Sequence, residues 1–149
     1  IEVPTFYLSG SVDATAGYET GTRAIFENAK QSDRYLLTYV NAGHNAGAPI
    51  PLPVEIQTNE DQTGASHYTD PVWDSVRMNN IMNHFATAFF DYNLKSRKDR
   101  LEFLQLVPNA HDGVYSKNEG QEAEDHTYWK GFEEGTARGL ILEHLGSAQ

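Results

Sequence analysis

The sequence predicts an α/β fold in which a mostly parallel sheet is flanked by helices. Two apolar segments typical of buried strands, residues 3–9 and 35–40, are separated by a stretch with helical spacing. A helical crossover of this length makes consecutive strands parallel and the connection right-handed. Farther along, an apolar stripe at helical spacing runs from Met78 to Tyr92. A chain of 149 residues is long enough for one hydrophobic core.

The first strand lies almost at the start of the chain. Residues 3–9 are mostly apolar and Gly10 bounds them, after which the chain enters a loop that carries Asp13. From Ala16 to Lys30 apolar positions recur at helical spacing, which predicts a helix, although two glycines weaken its first turns. The recurring positions are Tyr18, Thr22, Ile25, Phe26 and Ala29.

The second strand precedes a long irregular segment. Residues 35–40 form a continuous β-branched and aromatic run, and the sequence Asn-Ala-Gly-His follows and ends at His44. Residues 41–70 are predicted to be a loop because turn-forming residues dominate 41–53 and polar residues dominate 59–64. A loop this long in a compact domain is usually functional or flexible.

The predicted helix after this loop has a clear start and a packing face. Asp70 and Pro71 are typical of an N-cap and a first helical position. The apolar stripe consists of Met78, Ile81, Met82, Phe85, Ala88, Phe89 and Tyr92. Beyond it, residues 101–107 fit either a strand or a short helix, 112–125 are polar and predicted to be a loop, and 139–145 form a last apolar element of either type.

Asp13 and His44 each lie directly beyond one of the two predicted parallel strands. The carboxyl ends of neighbouring parallel strands share one edge of a sheet, about 4.8 Å apart, and functional groups collect there. Gly10 and Gly43 allow sharp turns at this edge. A carboxylate that orients a histidine is two thirds of a catalytic triad. The alternative is that Asp13 forms a turn or caps a helix and that His44 is an exposed loop residue.

These segments also resemble the C-terminal part of an α/β-hydrolase, in the dienelactone-hydrolase-like branch of carboxylic-ester hydrolases. Residues 3–13 look like the family's seventh strand and acid loop, and residues 35–44 look like its eighth strand and histidine loop. Residues 70–74 and the apolar-striped helix resemble its last core helix. On this resemblance, residues 1–96 are the C-terminal part of the hydrolase core, and residues 97–149 are a C-terminal extension that packs on the same domain.

The resemblance implies a carboxylic ester or lactone hydrolase that needs no cofactor. Its small-molecule ester or lactone would be cleaved by a nucleophile–His–Asp triad, in which His44 is the general base and then acid, and Asp13 orients it. Asn45 directly follows His44 and would contact the substrate or help to orient the loop; the alternative is a simple role in a turn.

The nucleophile is missing from this pattern. No G-x-S-x-G turn occurs in the 149 residues, and the chain has no cysteine. Two parallel strands alone would leave an unpaired edge and an uncovered face. We therefore expect a nucleophile-bearing N-terminal half, in the same or a separate chain, with a Ser or Cys nucleophile, and we expect the isolated chain to be inactive. The alternative is a non-catalytic, hydrolase-like interaction subunit that is complete as 149 residues.

Charge and motif spacing argue against other classes of function. The formal net charge of −10 disfavours binding to nucleic acid or to an anionic membrane surface. No apolar run approaches the roughly 20 residues that a bilayer span requires. The glycines do not form G-x-G-x-x-G, so a dinucleotide site is not expected. No metal site is expected because the remaining histidines lack H-E-x-x-H or similar spacing; these are His67, His84, His111, His126 and His144.

Overall fold

The computed structural model describes residues 2–48, 50–58 and 64–148. The strands in these residues are β1 (Thr5–Gly10), β2 (Arg34–Tyr39), β3 (Lys117–Asn118), β4 (Gln121–Glu122) and β5 (Leu140–Leu145). The α-helices are α1 (Ala24–Asn28), α2 (Val54–Gln57) and α3 (Ser75–Lys95). A π-helical segment spans Tyr18–Arg23, and 3₁₀ segments span Ala65–Tyr68, Lys98–Phe103 and Ala110–Asp112. The part of the predicted 41–70 loop at residues 49 and 59–63 lies outside the described residues.

The main sheet has three strands in the order β1-β2-β5. β1 and β2 are parallel, with Thr5 opposite Arg34 and Gly10 opposite Tyr39. β2 and β5 are antiparallel, with Tyr39 opposite Leu140. The prediction of a mostly parallel sheet flanked by helices is therefore wrong: the sheet is mixed, and a separate two-stranded antiparallel sheet pairs β3 with β4.

The mixed sheet results from the pairing of β5 with β2. The connection between these two strands contains α3, 3₁₀ segments and the β3–β4 hairpin, and β5 lies antiparallel to β2. The last apolar element is thus a strand beside β2. As a consequence, all six residues of β2 are buried, and within the described residues β1 is hydrogen-bonded to β2 alone.

The helix predicted between the first two strands is shorter and less regular than expected. It consists of the π-helical segment Tyr18–Arg23 followed by α1. Gly21 lies where a Cβ atom would be 2.1 Å from the carbonyl oxygen of Ala16, so the chain approaches its own preceding turn closely. The crossover still makes β1 and β2 parallel.

The long helix α3 packs one face against the sheet, as its apolar stripe predicts. Phe85 and Phe89 are buried and contact the ring of Phe6 on β1. The N-cap, however, is Asp74, whose side chain accepts a hydrogen bond from the backbone N–H of Arg77 at 2.7 Å, and not Asp70. No helix of the described residues combines the length and hydropathy needed to cross a membrane.

The core extends across the boundary predicted after residue 96. Trp129 and Leu140 are fully buried in the same cluster as Tyr39 and Phe85. Of the two alternatives for residues 101–107, a strand is absent and a short helix is present in part, since the 3₁₀ segment Lys98–Phe103 covers the first three of these residues. The predicted loop at 112–125 contains the small β3–β4 hairpin. The division at residue 96 remains a prediction.

Candidate functional site

The loops that follow β1 and β2 are hydrogen-bonded to each other. We call residues 11–17 the acid loop and residues 40–48 the histidine loop. The N–H of Val12 donates to the carbonyl of Ala42 at 3.0 Å, and the N–H of Asn41 donates to the Ser11 hydroxyl at 2.8 Å. Asn41 has a φ of 65°, a left-handed conformation that turns the chain sharply after β2. The two loops therefore hold a fixed position relative to each other.

Gly10 makes this close approach of the loops possible. A Cβ atom at Gly10 would be 2.2 Å from the carbonyl oxygens of both Ala42 and Gly43. Gly43 is different, because a Cβ atom there would meet only the Asp70 carboxylate at 3.5 Å. Of the two glycines that the sequence places at this edge, Gly10 is the one that sterics require.

The structure brings Asp13 and His44 together across these loops. Oδ2 of Asp13 lies 3.0 Å from Nδ1 of His44. The other carboxylate oxygen accepts hydrogen bonds from the backbone N–H groups of Thr15 and Ala16, at 2.8 and 3.0 Å. The Asp13 side chain is 5% exposed and that of His44 is 52% exposed. The acid is thus buried and fixed, while the imidazole reaches solvent.

The surroundings of Asp13 favour its ionised form. Burial raises the pKa of the carboxyl, but the hydrogen bonds from His44 and from the N–H groups of Ala16 and Thr15 outweigh burial, so the pKa is lowered overall. An ionised carboxylate only accepts hydrogen bonds, so Nδ1 of His44 must be the donor. In the neutral imidazole this assignment leaves the lone pair on Nε2, the atom that acts as base in triads of this kind.

The pair lines a cleft of about 440 Å³ at the carboxyl ends of the parallel strands. This volume is in the range of sites for small molecules, about 300–1,000 Å³. Other residues that line it are Leu8, Ser9, Thr22, Ala48, His67 and Tyr68. Among the described residues, the site thus pairs a carboxylate with an imidazole, and no hydroxyl group is hydrogen-bonded to that imidazole.

Asn45 also lines this cleft, but its amide is already engaged. Its Nδ2 donates to the backbone carbonyls of Ser66 and Thr69, each at 2.8 Å. The side chain therefore ties the histidine loop to the 3₁₀ segment Ala65–Tyr68. A contact between Asn45 and a substrate remains a prediction.

Asp70 is a residue of this site that the sequence assigned to another role. Its Oδ2 accepts from the N–H of Gly43 at 2.7 Å, and its Oδ1 accepts from the N–H groups of Val72 and Trp73 at 2.9 Å each. The local pattern Asp-Pro correctly indicates a carboxylate that accepts from following N–H groups. It carries no information on the partner 27 residues earlier in the chain.

The remaining histidines do not form a second site of this kind. His144 contacts Asp33 at 2.7 Å and stacks on Tyr35, but this pair lies at the opposite end of β2. His84 packs against the rings of Phe103 and Phe132, and burial lowers the pKa of its imidazole. Among the described residues, no three His, Cys, Asp or Glu side chains are grouped as metal ligands would be.

A larger cavity, of about 520 Å³, lies between α3 and residues 131–136. His84 and Asp74 both line it, but no carboxylate of the described residues hydrogen-bonds to His84 there. Of these two cavities, the smaller cleft is therefore the one in which a carboxylate is paired with a solvent-accessible imidazole, that of His44.

Comparison with known proteins gives no match, whether with family models, with curated proteins or with solved structures. The function is consequently inferred from the geometry and chemistry of the Asp13–His44 site.

Proposed function

We propose that this chain supplies the acid and the base of a nucleophile–His–Asp triad that hydrolyses a carboxylic ester or lactone. The observation that carries this proposal is the contact of 3.0 Å between Asp13 and His44, at the shared end of two parallel strands and facing a cleft. A buried, ionised acid behind a half-exposed imidazole is the arrangement that this chemistry requires. The resemblance of residues 3–13 and 35–44 to the acid and histidine loops of α/β-hydrolases supports the same activity.

The proposed reaction has two stages. His44 Nε2 takes the proton from a Ser hydroxyl or Cys thiol as that group attacks the carbonyl carbon of the ester. The bond from that carbon to the leaving oxygen then breaks, and the imidazolium gives its proton to the departing alcohol. His44 next takes a proton from water as the water attacks the acyl-enzyme. The bond between the acyl carbon and the Ser oxygen or Cys sulfur then breaks, His44 returns its proton to that atom, and the carboxylic acid is released. Asp13 stabilises the imidazolium in both stages and stays ionised.

In our proposal the nucleophile lies outside these 149 residues. An N-terminal half supplies it, either as part of the same protein or as a separate chain. The sheet supports this requirement, because none of the described strands pairs with the edge of β1 that faces away from β2. An unpaired edge is a ready template for a further strand. The backbone donors that stabilise an oxyanion would belong to that half as well.

The chain contains a matched control for a test of this proposal. Asp33 and His144 form a second acid–histidine contact, at the other end of β2; its imidazole is about as exposed as that of His44, but its acid is 37% exposed whereas Asp13 is 5% exposed. In the protein that carries both halves, we expect Asp13→Asn to lower kcat by about 10⁴, the loss measured for the acid of the serine-protease triad. Asp33→Asn should leave kcat unchanged. Near-normal turnover of Asp13→Asn would overturn the assignment.

Labelling with a fluorophosphonate tests whether the nucleophile is absent from this chain. We expect no labelling of the isolated 149 residues. If the nucleophile is Ser, a protein that carries both halves is labelled, and His44→Ala abolishes this labelling while His144→Ala does not. Labelling of the isolated chain would contradict the proposed division of the triad.

A second candidate is a non-catalytic interaction subunit. Two observations favour it: none of the described hydroxyl groups contacts His44, and β1 has an unpaired edge in the described sheet. A 149-residue protein that is made in this form, folds alone and has no esterase activity would favour this alternative.

A further inference from the structure

We propose that Asp70 is a positioning residue that holds His44 in contact with Asp13. The inference rests on the proposed catalytic role of His44 and adds to it a residue that touches neither the imidazole nor the acid. It begins from the Asp70 carboxylate, which accepts three backbone N–H groups from two separate segments of the chain.

One of these segments is the histidine loop. The N–H of Gly43, the residue directly before His44, donates to Oδ2 of Asp70 at 2.7 Å. A hydrogen bond from an N–H group to a carboxylate is about twice as strong as one between neutral groups. The peptide plane between Ala42 and Gly43, which comes directly before the peptide that joins Gly43 to His44, is therefore held by the charge of Asp70.

The other segment anchors Asp70 to the sheet. Oδ1 of Asp70 accepts from the N–H groups of Val72 and Trp73, and the indole Nε1 of Trp73 donates to the carbonyl of Val40 at 2.8 Å. The Trp73 ring also packs edge-on against Tyr39 at the end of β2. Hydrogen bonds thus connect the end of β2 to Trp73, Trp73 to Asp70, and Asp70 to Gly43 in the loop that follows β2.

The residue after His44 is held on the same side. The two hydrogen bonds of the Asn45 amide reach the carbonyls of Ser66 and Thr69, and Thr69 directly precedes Asp70 in the chain. The residues on both sides of His44, Gly43 and Asn45, are therefore hydrogen-bonded to the same segment, residues 66–70. These backbone hydrogen bonds help to position the imidazole of His44, which is half exposed and, among the described residues, is hydrogen-bonded to Asp13.

The two oxygens of Asp70 make its carboxylate difficult to replace. Oδ2 bonds to Gly43, whereas Oδ1 bonds to Val72 and Trp73. An asparagine has the same shape but one acceptor oxygen, so its NH₂ group must face N–H donors on one of the two sides. With asparagine at position 70, either the Gly43 N–H or the Val72 and Trp73 N–H groups lose their acceptor. In both cases the histidine loop is no longer tied to the turn at residues 72–73, so Asp70→Asn should release this loop from its anchor.

The test is the long-range ¹H–¹⁵N spectrum of the His44 imidazole in the 149-residue chain. The low-field Nδ1–H resonance reports the hydrogen bond to Asp13, and we expect Asp70→Asn to lose it. Asp74→Asn is the matched control, since Asp74 also accepts a backbone N–H at 2.7 Å but serves only as the N-cap of α3. This control should keep the resonance, since asparagine caps a helix about as well as aspartate does. Retention of the resonance in Asp70→Asn would overturn the role of Asp70.

Asp13→Asn separates this inference from the proposed function. If Asp13→Asn removes the resonance and Asp70→Asn does not, only the role of Asp70 fails. If Asp13→Asn leaves the spectrum unchanged, the acid–base pair is absent and the proposed function fails. Should Asp70→Asn unfold, amide exchange in the unchanged chain decides: the Gly43 N–H must be protected, and exchange at the rate of an unstructured peptide overturns the proposal.

Discussion

Gly10 is the residue whose replacement should disturb the candidate site most directly. Its α-carbon faces the histidine loop, and a Cβ atom there would lie 2.2 Å from two carbonyl oxygens. An ordinary contact needs 3.4 Å or more, so Gly10→Ala must separate the loops by about 1.2 Å. Both opposing atoms belong to the backbone, which cannot rotate away as a flexible side chain would.

The displacement should break the contact between Asp13 and His44. Their 3.0 Å separation would increase to about 4 Å if the histidine loop moved as a unit, and a hydrogen bond does not survive at that distance. Insertion of a methyl group into a closely packed region costs about 1–3 kcal/mol. We therefore expect Gly10→Ala to lower the free energy of unfolding by that amount and to remove the Nδ1–H resonance of His44.

Urea unfolding and the imidazole NMR spectrum measure the two effects, and Gly43→Ala is the control. Gly43 lies in the same contact region, but a Cβ atom there meets the Asp70 carboxylate at an ordinary 3.5 Å. Replacement of a glycine at a compatible position changes stability by less than about 1 kcal/mol. If Gly10→Ala matched Gly43→Ala in stability and in the His44 spectrum, the reasoning from the close approach would be refuted.

Two further predictions concern charged groups whose surroundings the structure defines. The lowered pKa of Asp13 means that its contribution to stability is complete above the ordinary carboxyl pKa of 3.8 and is lost as the pH falls through its lower folded value. Urea unfolding from pH 7 to pH 3 should show a loss of stability at the acid end that is smaller in Asp13→Asn, and identical pH profiles would contradict this. Arg34 is 5% exposed and donates to the carbonyls of Phe26, Ser32 and Gly146, which joins α1 to the end of β5. A lysine cannot reach all three acceptors, so Arg34→Lys should lower the free energy of unfolding by about 1.5–3 kcal/mol, the worth of a hydrogen bond to a charged group. The control Arg97→Lys alters an exposed pair with Asp99 and should cost at most about 1 kcal/mol in the same measurement.

The local pattern of the sequence was sufficient for the part of the fold that carries the acid and the base. Apolar runs before Gly10 and before Asn41, with a helical stretch between them, predict two parallel strands, and β1 and β2 have this arrangement. The meeting of Asp13 and His44 follows from that arrangement, because adjacent parallel strands end at one edge of the sheet. Their catalytic roles remain predictions that the proposed experiments test.

The pattern was insufficient wherever a contact joins distant parts of the chain. The apolar run at residues 139–145 fits a helix and a strand equally well. Only its pairing with β2 shows that it is a strand and that this strand is antiparallel. The same holds for Asp70, since its hydrogen bonds to Val72 and Trp73 are written in the local sequence but its bond to Gly43 is not.

The sequence alone indicates most of the apolar residues that are buried in β2 and α3, and it places one acid and one histidine just beyond the first two strands. It does not indicate that Arg34 and Asp91 are buried as well. The folded structure is needed to show that the sheet is mixed, that Gly10 and not Gly43 is sterically required, and that Asp70 ties the histidine loop to the turn before α3. The physical reason is that burial and helical or strand periodicity are encoded residue by residue. The direction of a strand, a steric limit and the second partner of a carboxylate depend on what the folded chain places beside them.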